Sequence, residues 1–202
     1  MHETHTGKLK KRIDELGNGA VFIANDFIDI ADYETIRKAL NRLVCDGKIQ
    51  RVLRGVYFNP RFSEVLQEYE APSPHHVALA IARKFNWSIA PSGTTALNIL
   101  GLSTQVPSKW SYISNGSYNS FQYGKITIEF KRRNNREITG MSYKTALVIQ
   151  GIKALGKGHV DNASINKIRA LLTKDEQQAL LHEAKPTTVW VYQIIKQICG
   201  GS

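Results

Sequence analysis

Between Arg37 and Arg61 the sequence carries seven basic residues, Arg37, Lys38, Arg42, Lys48, Arg51, Arg54 and Arg61, and a single acid, Asp46. A local concentration of this kind suits a surface that faces phosphates. Lys38 and Arg42 stand one helical turn apart with Asn41 between them. These types carry the donors and acceptors that read base edges: Arg or Lys pairs with guanine, and Asn with adenine. Glu34 and Thr35 would enter a groove deepest, and Tyr33 can meet a phosphate or a thymine methyl. Further on, Arg51 and Arg54 suit phosphate or minor-groove contact, and Lys48 suits a phosphate. The candidate set for duplex DNA is therefore Tyr33, Glu34, Thr35, Arg37, Lys38, Asn41, Arg42, Lys48, Arg51 and Arg54.

A second cluster, Lys131, Arg132, Arg133 and Arg136, places four cations within six residues. Such a run is often no more than a solvated loop. In a chain with this charge balance it is also a candidate second nucleic-acid contact, to DNA or RNA. Catalytic readings lack their parts. Glu129-Phe130-Lys131 has the E-x-K form of a metal-dependent nuclease, but that chemistry needs a further carboxylate to hold the metal. Between residues 72 and 160 the only acids are Glu129 and Glu137. Pro91-Ser92-Gly93-Thr94-Thr95 lacks the spacing of a phosphate loop, and Ser92 or Thr94 is expected to cap a helix. His75 and His76 are adjacent, so on a helix they diverge by about 100° and do not converge on a metal; they are expected at the surface. No nucleophile motif surrounds any Ser, Cys or His. The expectation is a binding protein, with no catalytic residue, no metal and no cofactor.

These side chains need a scaffold. A helix is expected over 6–16, with Ile13 and Leu16 inward and Gly17-Asn18-Gly19 as its stop. A short strand follows over 21–23. A brief helix fits 25–30, with Phe27, Ile28 and Ile30 apolar, and then a helix fits 33–45 behind an Asp32 cap. In that last helix Ile36, Leu40, Leu43 and Val44 fall on one face, which turns Glu34, Lys38, Asn41 and Arg42 outward. Runs 48–53 and 56–58 flank Arg54-Gly55 and read as a hairpin. Helix, strand, helix, turn, helix and hairpin make the order of a winged helix-turn-helix. In that arrangement one helix enters a major groove about 12 Å wide, the preceding one braces it, and the hairpin brings cations to the phosphates. An amphipathic helix alone is an ordinary surface helix. The basic hairpin and the one-sided charge count together point to DNA.

Residues 61–74 read as a connector, with a helix possible over 62–69 until Ala71-Pro72-Ser73-Pro74 breaks it. A helix over 75–85, with Val77, Ile81 and Phe85 inward, is expected to open a second domain. A strand over 87–90 and a helix over 94–100 follow. Strands over 110–114, 118–123 and 125–131 are expected to pair through turns at Asn115-Gly116 and Gly124. The last of them alternates Ile126, Ile128 and Phe130 inward with Thr127, Glu129 and Lys131 outward. Helices are expected over 142–155, 164–172, 175–183 and 188–198, with a capping box at Thr173-Lys174-Asp175-Glu176. The fold class is α+β: a winged helix-turn-helix over 1–70, then a domain over 72–202 with a small antiparallel sheet and several helices.

The totals fit this reading. The chain has 202 residues and a formal net charge of +10, enough length for two small domains. Residues 1–71 hold 11 basic and 11 acidic side chains, whereas residues 72–202 hold 16 and 6. No apolar run is long enough to span a membrane, and the polar N-terminus does not read as a secretory signal. Cys45 and Cys199 lie far apart, which argues against a disulfide framework or a zinc cluster. A cytoplasmic setting is expected.

A more specific likeness rests on two groups of residues. The first is Asp26-Phe27, Ile36 to Val44, Asp46-Gly47-Lys48-Ile49 and Arg51 to Tyr57. The second is Ala90-Pro91-Ser92-Gly93, Ala96, the run from Leu100 to Pro107, and Ile128-Glu129-Phe130. Over residues 8–155 the chain resembles AbiEi-type antitoxins of type IV toxin–antitoxin systems, which serve in abortive infection, and it looks like a compact subgroup of them. That resemblance implies an N-terminal domain that binds inverted repeats at its own promoter, and a C-terminal domain with antitoxin activity. It further implies a nucleotidyltransferase toxin as functional partner, without a stable complex between the two. The alternative expectation is an interaction module that neutralises a toxin or binds RNA, with DNA binding secondary.

Overall fold

The computed structural model describes residues 4–65, 67–133 and 140–200. It is a mixed α+β fold with eight α-helices and several small sheets among the described residues. The chain divides into two compact units, Met1–Asn86 and Trp87–Ser202. No helix among the described residues is long and apolar enough to cross a membrane.

In the first unit, helix α1 (His5–Leu16) starts at Thr4, whose hydroxyl accepts from the Gly7 amide, and ends where Gly17 turns to φ +82°. Leu9 and Ile13, one turn apart, are its buried residues. Leu16, expected inward, stands 49% exposed at the helix end. Strand β1 (Val21–Phe22) follows. The expected helix over 25–30 is instead a 3-10 turn, Ala24–Phe27. Asp26 folds back to accept from the Ile23 amide at 2.9 Å, so one tight turn replaces the helix, and Ile28 is left exposed. Helix α2 (Tyr33–Cys45) has the expected bounds and the expected Asp32 cap.

Strands β2 (Gln50–Leu53) and β3 (Val56–Phe58) form the hairpin, and β3 also pairs with β1, giving an antiparallel sheet of order β1-β3-β2. Gly55 supplies the positive φ (+76°) that the turn needs. Leu9, Ile13, Phe22, Phe27, Ile36, Leu40 and Tyr57 fill one core. Asn59, itself buried, donates from Nδ2 to the Gly17 carbonyl at 3.0 Å. It thereby ties the end of β3 to the α1 terminus.

Among the described residues of 62–69 there is no helix. β4 (Phe62–Ser63) and β5 (Glu68–Tyr69) pair antiparallel, with the Phe62 and Tyr69 rings edge to face at 5.3 Å. Helix α3 (Pro74–Phe85) has Pro at its start, where a missing N–H is tolerated. It was expected to open the second domain but packs on β1 and β3 of the first unit. Arg83 is the visible tie. It donates from Nε to Asp26 Oδ1 at 3.1 Å and from Nη2 to Oδ2 at 3.0 Å and to the Val21 carbonyl at 3.2 Å. The apolar face holds Val77 and Ile81 as expected, while Phe85 is 40% exposed.

The second unit contains β6 (Ile89–Pro91), α4 (Thr94–Ile99), β7 (Lys109–Ser114), β8 (Asn119–Tyr123) and β9 (Ile126–Arg132). Helices α5 (Tyr143–Leu155), α6 (Asn162–Ala170), α7 (Lys174–Glu183) and α8 (Val189–Ile198) follow. Neither Ser92 nor Thr94 caps α4; Gly93 stands at the cap with φ +57° and no side-chain bond. Thr173 and Glu176 do form the expected capping box of α7.

The four strands are ordered β6-β7-β9-β8. β8 and β9 form the hairpin expected around Gly124, but β7 pairs with β9 in parallel. The sheet is therefore mixed, and the expected antiparallel one is corrected. The expected turn at Asn115-Gly116 does other work. Asn115 extends the pairing toward β6: its amide donates to the Ser88 carbonyl at 3.2 Å, and its Oδ1 accepts from the Ser88 amide at 2.9 Å. Gly116 lies against the Trp87 indole, where a Cβ would overlap the ring. The chain leaves β7 there and places β8 beyond β9.

Gly116→Ala is expected to destabilise the second unit by about 1–3 kcal/mol, the range for overpacking a filled site. All three tryptophans lie in this unit. Denaturant unfolding followed by tryptophan fluorescence measures the loss, and an unchanged midpoint would refute the close packing.

Candidate nucleic-acid interface

α2 is the element that presents the candidate side chains. Its cap is well made: Asp32 Oδ1 accepts from the Thr35 amide at 3.0 Å, and Oδ2 accepts from the Thr35 hydroxyl at 2.6 Å. These two bonds hold the Asp32 carboxyl below its usual range. Thr35 is thus engaged by the cap. Ile36, Ala39, Leu40 and Leu43 are buried. Tyr33, Glu34, Arg37, Lys38 and Arg42 are exposed, and Asn41 is half-buried. Arg37 turns back along the helix to Glu34, donating from Nη2 at 2.7 Å and from Nε at 3.1 Å to Oε2. The bond holds Glu34 low and raises Arg37.

Beside α2 lies a cleft of about 400 Å³. Tyr33, Glu34, Arg37 and Asn41 line it from the helix, and Arg51, Arg54 and Tyr57 from the hairpin. Lys84 of α3 completes it. Tyr57 is buried and donates from its hydroxyl to Asn41 Oδ1 at 3.3 Å. Its ring stacks on Phe22, and burial pushes its hydroxyl above the ordinary range. Lys84 donates from Nζ to the Arg54 carbonyl at 2.5 Å, tying α3 to the hairpin turn. Partial burial, then the neighbouring Arg54, pushes the Lys84 ammonium below its usual value.

The structure therefore brings Tyr33, Glu34, Arg37, Asn41, Arg51 and Arg54 to one concave surface. Lys38 and Arg42 stand on the exposed side of α2 outside the cleft lining, and Lys48 is exposed before β2. Lys38, Arg42, Lys48, Arg51 and Arg54 make no ion pair among the described residues.

In the second unit Lys131, Arg132 and Arg133 line another cleft, at the end of β9, with Lys153 of α5. Arg136 lies outside the described residues. Glu129 is mostly buried and faces cations: Lys131 Nζ at 3.5 Å and Lys109 Nζ at 3.8 Å, with the Tyr118 hydroxyl at 3.4 Å. Among the described residues no group of three or more His, Cys, Asp or Glu could hold a metal ion.

Residues 8–180 match the model of a Family of unknown function (DUF6088). The chain belongs to that family. The match runs from within α1 to within α7, so in this DUF6088 member it takes in α2, the β2–β3 hairpin and both clefts. No curated protein matches the sequence. Among solved structures the chain is similar to the RV2827C protein from Mycobacterium tuberculosis, at 11% identity and a TM-score of 0.36, over 93% of this chain and 74% of that one. A likeness that slight carries no fold assignment.

Two residues of the first cleft of this DUF6088 chain escaped the sequence reading. Tyr57 reads as an ordinary strand aromatic. Lys84 sits 30 residues beyond Arg54 of the hairpin turn, on a helix that the sequence pattern places in the other domain; the adjacent pair Arg83-Lys84 is its one signal.

His75 and His76 also differ from expectation. Their ring centroids are 6.0 Å apart. Only His76 is exposed; His75 is half-buried, and burial, then the charge of His76, pushes its imidazole down to about 4. The unfolded chain, with an ordinary value of 6.5, then binds a proton that the fold resists. His75 is expected to lower stability as pH falls from about 6.5 toward about 4, with no effect above that window. His75→Gln should flatten the pH dependence of first-unit stability there, measured by hydrogen exchange against the parent. Parallel curves would show that His75 does not couple to folding.

Proposed function

We propose that the first unit is a winged helix-turn-helix that binds double-stranded DNA, with α2 as recognition helix and the β2–β3 hairpin as wing. The observation that carries this reading is the set of five exposed cations, Lys38, Arg42, Lys48, Arg51 and Arg54, on those two elements and the turn between them, which make no ion pair among the described residues. Unpaired Arg and Lys on a helix flanked by a basic hairpin are what counterion release at phosphates requires. Lys38 and Arg42 supply base-edge chemistry one turn apart, and Asn41 stands on the cleft side of the same helix, where its Oδ1 accepts from Tyr57. Arg37, Arg51, Arg54 and Lys84 supply positive charge around the adjoining cleft. Tyr33 and the first-turn residues Glu34 and Thr35 stand at the helix N-terminus, the end a recognition helix leads with.

In this reading the protein is a cytoplasmic transcriptional regulator that binds inverted repeats in its own promoter, and not an enzyme. Its resemblance to AbiEi-type antitoxins supports a wider role as the autoregulating antitoxin of a type IV toxin–antitoxin operon. The second unit would then act against a nucleotidyltransferase toxin without forming a stable complex with it.

Mobility shifts on the duplex upstream of its own gene test the DNA reading. Lys38→Ala and Arg42→Ala are each expected to cost about 1–3 kcal/mol of binding and to relax sequence preference. Arg51→Ala and Arg54→Ala are expected to weaken all sequences alike and to reduce the salt slope by about one each. A Lys38→Ala/Arg42→Ala double variant that binds as tightly as the parent overturns the assignment. The antitoxin role is tested separately by co-expression with the product of the adjacent gene: the protein should relieve its toxicity, and growth arrest despite full expression would count against that role.

A further inference from the structure

The cleft between β9 and α5 has a volume of about 860 Å³ and is lined by Ser92, Ile113, Lys131, Arg132, Arg133, Gln150 and Lys153. That is the size of a small-ligand pocket. Among these described lining residues four of seven are cations and none is an acid. Lys131 shares Glu129 at 3.5 Å, but Arg132 and Arg133 make no ion pair among the described residues.

A second, independent observation comes from α5. This helix is buried along its length from Thr145 to Ile152, and Gln150 interrupts the apolar run. Gln150 is only 7% exposed, and its Nε2 has no hydrogen-bond partner among the described residues. A buried donor left unmade is costly, and native folds rarely keep one without a use for it. Here the amide stands in the lining of a cationic cleft, where an anionic acceptor would satisfy it. Lys153 follows one turn later, on the same side of α5.

We infer that this cleft binds a phosphate ester of nucleotide size: Gln150 Nε2 donates to a ligand oxygen, and Arg132, Arg133, Lys131 and Lys153 neutralise its charge. Guanidinium groups match phosphate oxygens in pairs. Among the described residues no aromatic side chain lines the cleft, so they offer no stacking platform of the kind that single-stranded nucleic acid uses. The recognised feature is the phosphate rather than the base, and the ligand is a discrete small molecule rather than a polymer. The inference stands apart from the DNA reading, because every residue it uses belongs to the second unit.

Isothermal titration of the full chain with pyrophosphate, a nucleoside triphosphate and a single-stranded oligoribonucleotide tests it. Pyrophosphate and the triphosphate should bind, with affinity about tenfold lower in Gln150→Leu and at least tenfold lower in Arg132→Ala/Arg133→Ala. Lys174→Ala, which removes an exposed cation of α7 outside the cleft, should change nothing. Gln150→Leu should also melt no lower than the parent, because it removes an unsatisfied buried amide. If that variant does not fold, the exposed Arg132→Ala/Arg133→Ala pair still decides the matter. Absence of binding by the parent at millimolar ligand overturns the inference. So does binding unaffected by these substitutions, and so does binding of the oligoribonucleotide alone.

Discussion

The outward chemistry of the first unit follows from the burial of one face of α2. Ile36, Leu40 and Leu43 sit in the same core as Leu9 and Ile13 of α1 and Phe22 and Phe27 beyond it. Each of these side chains is worth roughly 1.5–3 kcal/mol when removed from water. A rotation of α2 by one residue would expose part of that set and push a charged side chain inward, at a cost of several kcal/mol. The helix therefore has one orientation. Arg37 and Asn41 must face the hairpin, and Lys38 and Arg42 must face away from the core. The Asp32 cap fixes where the helix begins, and so fixes which residues occupy the first turn.

The same unit shows how little net charge says about a surface. Residues 1–86 hold 13 basic and 11 acidic side chains, close to balance. Balance over the unit is not balance over each face. Asp29 is tied to Arg12, Asp26 to Arg83, Glu70 to Arg61 and Glu34 to Arg37. Exposed pairs of this kind contribute little to stability. Their consequence is local: four acids are held by four arginines, and the cations of the hairpin and the far side of α2 are left uncompensated. Asp26 shows the economy best. It closes the 3-10 turn through the Ile23 amide and receives Arg83 from α3, so a single carboxylate shapes the approach to α2 and holds the helix that delivers Lys84.

Local signals were legible in the sequence and long-range ones were not. The bounds of α2, the Arg54-Gly55 turn and the Thr173 capping box are written in residues three or four positions apart, and each is found in the structure. The cationic set on α2 was legible for the same reason, since a 3.6-residue period assigns faces. The assignment of α3 to the first unit was not, because it depends on Arg83 meeting Asp26 across 57 residues. Ile28 and Phe85 have apolar side chains at plausible helical positions, yet both are exposed. Periodicity says which side chains share a face; it does not say how far a neighbouring element extends to cover them. A helix was expected over 62–69, but Phe62–Ser63 pairs with Glu68–Tyr69, and the aromatic contact between Phe62 and Tyr69 accompanies that pairing.

The largest departure, the parallel pairing of β7 with β9, has the most consequence for chemistry. Had Asn115-Gly116 made a hairpin, β8 would lie between β7 and β9, and the two would stand about 10 Å apart, twice the spacing of adjacent strands. With β8 displaced to the edge, β9 joins β7 directly, and Ile113 lies opposite Lys131 and Ser114 opposite Arg132. The carboxyl ends of the two strands then coincide, and Lys131, Arg132 and Arg133 stand beside Gln150 and Lys153. Gly116 packs on Trp87 at the point where the chain leaves β7. A glycine that reads as a turn signal acts instead as a point of close approach, and the second cationic cleft depends on the parallel pairing that follows.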